Sequence, residues 1–317
     1  MRGLLSIIIG VLFLQVSPIA ARAQITAPSQ GPFILVLGIG QDAGVPQSGN
    51  HSHPGWTNPD AAHLATSLGL VDPNSGKKWM FEASPDFRRQ WYMLETTEPS
   101  SDALAPDGVF LTHAHIGHYT GLMFLGNESM GASNVSVYAM PLMADFLELN
   151  GPWDQLVRYQ NVRLHKMGEK IPVRLTHELQ VIPFLVPHRQ EYSEVVGYRI
   201  EGPNRTALFI PDIDSWEEWD EEGYRIEGVL QSVDIAFIDG SFFADGEIPG
   251  RDMSSFPHPF ISHTMSRLSA LPDNQRSKIR FIHLNHTNPA LNLESEAAKS
   301  VIEAGFGLAR PLERYDL

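Results

Sequence analysis

The chain has 317 residues, 43% hydrophobic and only 19% charged, enough apolar material for a substantial core, which excludes a disordered or fibrous protein. It contains no cysteine, so disulfides, a lipid-modified cysteine and thiolate metal ligands are all excluded. A formal net charge of −14 argues against a nucleic-acid partner, because polyanions are bound by Lys and Arg in number, while a small substrate in a locally positive, metal-bearing cleft stays compatible.

Residues 1–23 read as a secretory signal peptide: Arg2 gives a basic start, 4–16 is an apolar run, and Ala21, Arg22 and Ala23 form a small-residue cleavage pattern before Gln24. The rival reading, an uncleaved anchor, is weaker because the run falls short of the roughly 20 residues that span a bilayer. The expected mature protein is periplasmic or secreted, with no stable membrane insertion. Losing Arg2 and Arg22 leaves it 21 basic against 37 acidic residues, formally −16.

Beyond the signal there is no repeat, low-complexity block or long linker, so one domain is expected over residues 31–317. Short runs rich in Val, Ile and Phe predict strands at 33–37, 79–81, 109–111, 135–138, 181–186, 196–200, 207–210, 235–238 and 280–283. Amphipathic stretches predict helices at 87–94, 142–149, 264–271 and 293–304. Many strands with interspersed helices imply an α/β fold of sheets flanked by helices.

The strongest signal is Thr112, His113, Ala114, His115, Ile116, Gly117 and His118, directly after the 109–111 strand. In an extended segment side chains two apart face the same way, so His113 and His115 can grip one ion. A helix expected over 116–125 swings His118 back to the same pocket. Three imidazoles at a strand end are costly to bury without a polar partner, which favours a metal site over isolated structural histidines.

This segment resembles the His-x-His-x-Asp-His signature of the metallo-β-lactamase superfamily, with Gly117 standing where that signature has aspartate. The likeness continues through Phe81, Glu82, Ala83, Ser84, Pro85 and Asp86, through Pro187 and His188 ahead of the 196–200 strand, through Pro211 and Asp212, and through His283 to Pro289. Within the superfamily the chain is similar to the coenzyme PQQ synthesis protein B family at residues 41–47, 83–86, 117–122 and 287–289. A more distant likeness is to the cyclic phosphodiesterase of phosphonate breakdown.

The resemblance implies the αββα four-layer sandwich, two central mixed sheets flanked by helices. It further implies one metal held by His113, His115 and His188, and a second by His118 and His283, with Asp212 between them. His263, after Ser262, takes the place of a proton donor outside the metal shell. Without an aspartate at 117 the second site is weakened, so a mononuclear centre stays open, with Asp42 as either a substitute carboxylate or a loop-capping turn residue. Imidazole and carboxylate suit zinc, iron and manganese alike, with zinc preferred.

Other residues carry weaker signals. Glu82, at a strand end, is either an orienting partner for a ligating imidazole or a surface carboxylate. Asp214 competes with Asp212 for the bridging role, and His286 is an alternative to His283. His51 and His53, in the Gly-, Ser- and Asn-rich 48–55 loop, form a weak candidate for another metal site. Trp216, Trp219 and the acids of 214–222 read as a charged, exposed helix or lid.

The expected activity is hydrolysis of a small ester, lactone, lactam or phosphodiester by water activated at a mono- or dinuclear centre. The alternatives are a part in making or moving the quinone cofactor PQQ and, behind both, a non-catalytic metal-binding protein.

Overall fold

A computed structural model describes residues 31–98, 104–189 and 191–317; the expected signal peptide lies outside the described residues. In chain order the strands are β1 (Phe33–Gly38), β2 (Ser67–Asp72), β3 (Lys77–Phe81), β4 (Gly108–Phe110), β5 (Val135–Ala139), β6 (Val162–Lys166), β7 (Val173–Arg174), β8 (Gln180–Leu185), β9 (Val196–Glu201), β10 (Thr206–Ile210), β11 (Ile235–Asp239), β12 (Ile279–Ile282), β13 (Gly307–Leu308) and β14 (Arg314–Asp316). Among the described residues they form two seven-stranded sheets, ordered β14-β1-β2-β3-β4-β5-β6 and β13-β12-β11-β10-β9-β8-β7. Both are mixed: β3 to β6 run parallel beside the antiparallel β1–β2 and β2–β3 pairs, and β10 to β13 run parallel beside the antiparallel β8–β9 and β9–β10 pairs.

The period of two along each strand explains why β1, β3 and β4 read as continuous apolar runs. Ile34, Val36, Trp79, Phe81 and Phe110 enter one core, whereas Phe33, Leu35, Met80 and Val109, the alternate residues, enter another. The first core lies between the sheets and also reaches the helices Trp216–Glu221, Ile226–Gln231, Ile261–Arg267 and Glu296–Glu303; the second lies under Phe87–Thr97, Pro141–Leu149 and Trp153–Arg158. This is the expected four-layer arrangement.

Aromatic side chains join the sheets. Phe81 and Phe110 stack with ring centroids 5.0 Å apart, and the ring of Tyr198 from β9 meets them edge-on at 5.4 and 5.6 Å. The Tyr198 hydroxyl donates to the Leu111 carbonyl, and Val196 N–H donates to the Thr112 carbonyl at 3.2 Å, so the segment entering the histidine cluster is pinned from across the sandwich. Among the described residues no helix is long and apolar enough to cross a membrane.

Trp216 and Trp219 are corrections to the exposed-lid expectation. Both are fully buried in the first core, and only the acidic side of their helix faces solvent. Helix amphipathicity accounts for this: acids fill the outer face while two indoles fill the inner one.

Candidate metal centre

Strand ends assemble the cluster. Glu82 follows β3, His113 follows β4, His188 follows β8, Asp212 follows β10, Asp239 ends β11 and His283 follows β12. These strands point their carboxyl ends to one edge of the sandwich, where ligand sites of open α/β sheets form. His115 lies two residues beyond His113, and the short helix Ile116–Tyr119 returns His118 to the same point.

Asp212 is the centre of the arrangement. Its Oδ2 lies 3.3 Å from His188 Nε2, 3.5 Å from His113 Nε2, 3.7 Å from His118 Nε2 and 3.9 Å from His283 Nε2. Nδ1 of His115 lies 2.9 Å from His113 Nε2 and 3.2 Å from His188 Nε2. Apart from His115, at the mouth, all of these side chains are buried.

The opposite nitrogen of each ring faces a polar side chain. Thr112 Oγ1 donates to Glu82 Oε1 at 2.6 Å, so at 2.8 Å from His113 Nδ1 it accepts the ring proton and leaves the Nε2 lone pair facing Asp212. Glu82 Oε1 lies 3.2 Å from His118 Nδ1, Asp214 pairs with His188 Nδ1, and Ser241 Oγ lies 3.0 Å from His283 Nδ1. Glu191 Oε2 holds His115 Nε2 at 2.8 Å. Such outer partners fix ring orientation and tautomer in metal sites. Glu82 and His283 both adopt left-handed backbone, φ 73 and 65, a strained conformation that aims each side chain off its strand end.

The electrostatics divide the histidines. Burial, with the neighbouring imidazoles, holds His113 well below the ordinary histidine range, and burial likewise lowers His283 against the pull of Asp212. His118 loses to burial but gains more from Glu82 and Asp212, and its pKa is raised. Burial also disfavours the His258 imidazolium, yet Asp239 and Asp212 outweigh it and push its pKa up to about 9.

Neutral His113 and His283 keep lone pairs to offer. Among the described residues both ring nitrogens of His118 and Nε2 of His283 are buried with no hydrogen-bond partner, a costly state that a cation at the centre would relieve at the two Nε2 atoms. Ligand atoms of His113, His115, His188 and Asp212 lie within 4.8 Å of one another, as do those of Asp212, Asp239, His258 and His283. The set of His113, His115, His188 and Asp212 therefore fits a metal ion, whereas the other set includes His258, whose raised pKa disfavours ligation. Beside it opens a cleft of about 650 Å³, walled by Tyr119, Tyr192, Phe242 and Phe256 and bearing Arg189.

Residues 78–284 match the family described as a beta-lactamase superfamily domain. The chain belongs to the beta-lactamase superfamily. It resembles coenzyme PQQ synthesis protein B of Xanthomonas campestris pv. campestris, 27% identical over 301 residues that cover 87% of this chain and 97% of the relative. The protein of the same name from Methylobacterium sp. is 26% identical over 302 residues, covering 87% and 96%. Among solved structures, zinc-bound PqqB from Methylobacterium extorquens matches with a TM-score of 0.74 at 21% identity, covering 90% of this chain and 100% of that one. A diphosphatase of the PhnP family matches with a TM-score of 0.63 at 21% identity, covering 90% and 97%.

Of the residues the resemblance points to, His113, His115, His188 and Asp212 come within ligand spacing of one another. The second group differs: His118 adjoins Asp212, but Asp239 and His258 crowd the His283 side as well. Asp239 was legible in principle, as an acid at the end of a predicted strand parallel to the one that ends before Asp212. His258 lies in an irregular segment, with no periodic signal to mark it.

His263 is a correction. It sits on the helix Ile261–Arg267 with its side chain 47% exposed and its Nε2 3.3 Å from Glu217, and it does not line the cleft. The helix buries Ile261 and Thr264 and so turns His263 outward, while His258, five residues earlier, stands at the cleft. Asp214 pairs with His188 Nδ1, and Asp212 is the carboxylate that faces the Nε2 side of the rings.

At Gly117 an added Cβ would meet the Asp42 carbonyl oxygen at 2.6 Å and its Cα at 2.8 Å. The loop after β1, with Asp42 at φ 50, thus occupies the room an aspartate would need, and its carboxylate acts on His118 as one of the charges raising that pKa. The Asp42 carboxylate is not among the grouped ligand atoms. His286 faces a different cavity together with His53, and neither it nor His51 belongs to a group at ligand spacing among the described residues.

Proposed function

We propose that the protein is an exported metal-dependent hydrolase that cleaves a small ester, lactone, lactam or phosphodiester. The observation that carries this reading is Asp212 Oδ2 facing four imidazole nitrogens at 3.3–3.9 Å, each ring held from behind. His113, His115, His188 and Asp212 would hold one ion, and Asp212, His118 and His283 a second. Zinc suits this donor set, and the zinc-bound state of the Methylobacterium extorquens relative supports it. Bound there, zinc supplies Lewis acidity, lowering the pKa of water and polarising the scissile carbonyl or phosphoryl oxygen.

The remaining chemistry belongs to the chain itself. His258 donates its Nδ1 proton to Asp239 at 2.9 Å, faces Asp212 Oδ1 at 3.3 Å and lines the cleft; the two carboxylates favour its protonated form, which makes it the donor to the leaving group in this reading. The aromatic walls exclude water from the body of a small substrate, and Arg189 places a positive charge at the mouth of an otherwise acidic protein. Elemental analysis of purified protein, with turnover of a panel of esters, lactones, lactams and phosphodiesters, tests the proposal. Absence of bound metal, or of turnover across the panel by the fully loaded protein, would overturn it.

A second reading, a part in making or moving PQQ, is favoured by relatives named for PQQ synthesis that match 87% of this chain. Complementation of a strain lacking its own copy of such a relative separates the two. Export rests on the 1–23 segment, and a mature N-terminus at Gln24 in envelope fractions is the expected result.

A further inference from the structure

A second cavity, of about 620 Å³, lies behind the loop that carries His283 and shares no lining residue with the metal cleft. His53, His63, His286 and Arg310 line it, with Pro289 and Leu291 supplying an apolar wall. Nη2 of Arg310 and Nδ1 of His286 are buried and have no hydrogen-bond partner among the described residues. The acid nearest in sequence to Arg310, Glu313, does not line the cavity; its Oε2 accepts from the Arg310 backbone N–H at 3.1 Å and the Tyr315 hydroxyl at 2.7 Å, and its charge offsets part of the cost of burying the guanidinium without supplying Nη2 a hydrogen bond. Nδ1 of His53 accepts from Gly55 N–H at 3.0 Å, so its Nε2 bears the proton and is a donor.

We propose that this cavity binds an oxyanion, the phosphate or carboxylate group of a small molecule, through Arg310 and the surrounding imidazoles. A guanidinium with an unmet donor is the group best matched to such an anion, offering paired N–H donors in a planar fork. Burial lowers the pKa of Arg310, of His63 and of His286, and Arg310 lowers His63 further, so these groups crowd one another and gain from an anion placed among them. Among the described residues Asp60, at the exposed rim, is the one carboxylate lining the cavity, while Asp42 acts on His286 and Glu313 on Arg310 from outside it. A transition metal is the competing occupant, but among the described residues no group including these imidazoles reaches ligand spacing.

The test is calorimetric titration of inorganic phosphate, and separately of acetate, into the metal-loaded protein and its Arg310→Gln variant. Phosphate also has affinity for a metal centre, so the variant is what separates the sites. The expected result is one equivalent fewer of bound anion, or at least tenfold weaker binding, in Arg310→Gln at unchanged metal content, with partial recovery in Arg310→Lys. Preference for phosphate or acetate assigns the source of the anion. Identical isotherms for wild type and Arg310→Gln overturn the proposal, as does a metal equivalent lost on both His53→Ala and His286→Ala. Should Arg310→Gln fail to fold, His53→Gln, on the loop at the cavity rim, reads the same loss.

Discussion

Nδ1 of His258 lies 2.9 Å from Oδ2 of Asp239, and the same nitrogen is 3.3 Å from Oδ1 of Asp212. Two buried carboxylates on one ring nitrogen outweigh the cost of burying the imidazolium, which is why the pKa rises to about 9. A raised folded-state value means the native state binds more protons than the unfolded one between about 6.5 and 9. The stabilisation is therefore complete below about pH 6.5 and disappears as pH climbs through 9. In chemical denaturation of metal-free protein, the stability gap between wild type and His258→Gln should be widest near pH 6 and shrink steadily toward pH 9. A gap that widens with pH would show the ring is neutral.

As proton donor, His258 should be separable from the metal ligands. His258→Gln is expected to keep the metal held by His113, His115 and His188 while kcat falls by roughly 10²–10⁴-fold, the usual contribution of a positioned acid. Loss of that metal in the variant would make His258 a structural support of the ligands instead. His263→Ala, at an exposed side chain paired with Glu217, should leave both metal content and turnover unchanged, since such surface pairs contribute little.

Glu82 supports two imidazoles at once, contacting His118 Nδ1 directly and His113 through the Thr112 hydroxyl. Glu82→Gln preserves shape but removes the charge and one acceptor. Metal affinity is expected to drop by about 10–100-fold, as for other outer partners of ligating histidines. Competition with a chromophoric chelator measures it, and unaltered affinity would mean that the ring orientations are fixed by packing alone.

Much of this was legible in the chain because strand periodicity and ligand spacing are local. The strands ending ahead of His113, Asp212 and His283 announce themselves by β-branched runs, and the parallel topology then carries their ends to one edge. Ser67–Asp72 did not announce itself: Ser67, Gly69 and Asp72 dilute its apolar signal, and its place is set by pairing with β1 and β3. His258 escaped for the same reason, since its function depends on Asp239 and Asp212, which are distant in sequence. His263 misled because family likeness gives a neighbourhood in the chain, whereas helix phase decides which residue faces the cleft.

Gly117 is where the chain departs from the superfamily signature, and it yields a prediction opposite to the one its sequence suggests. Read from the motif, Gly117→Asp should restore a carboxylate beside His118 and tighten the second ion. In the folded protein the direction in which a Cβ would project is filled by the Asp42 backbone at 2.6–3.0 Å, atoms that cannot rotate away as a flexible side chain would. Any side chain at 117 must displace the loop after β1, at a cost of roughly 1–3 kcal/mol for overpacking. Displacing that loop also moves Gln41, whose amide reaches toward His258 at 3.5 Å and pairs with Asn285. Gly117→Ala isolates the steric part, because it adds bulk without charge. Both variants should melt at lower temperature than wild type, and Gly117→Asp should bind no additional metal in titrations of the apo protein. An added equivalent in Gly117→Asp, with Gly117→Ala unchanged in stability, would show that the Asp42 loop yields and that the carboxylate can reach the centre after all.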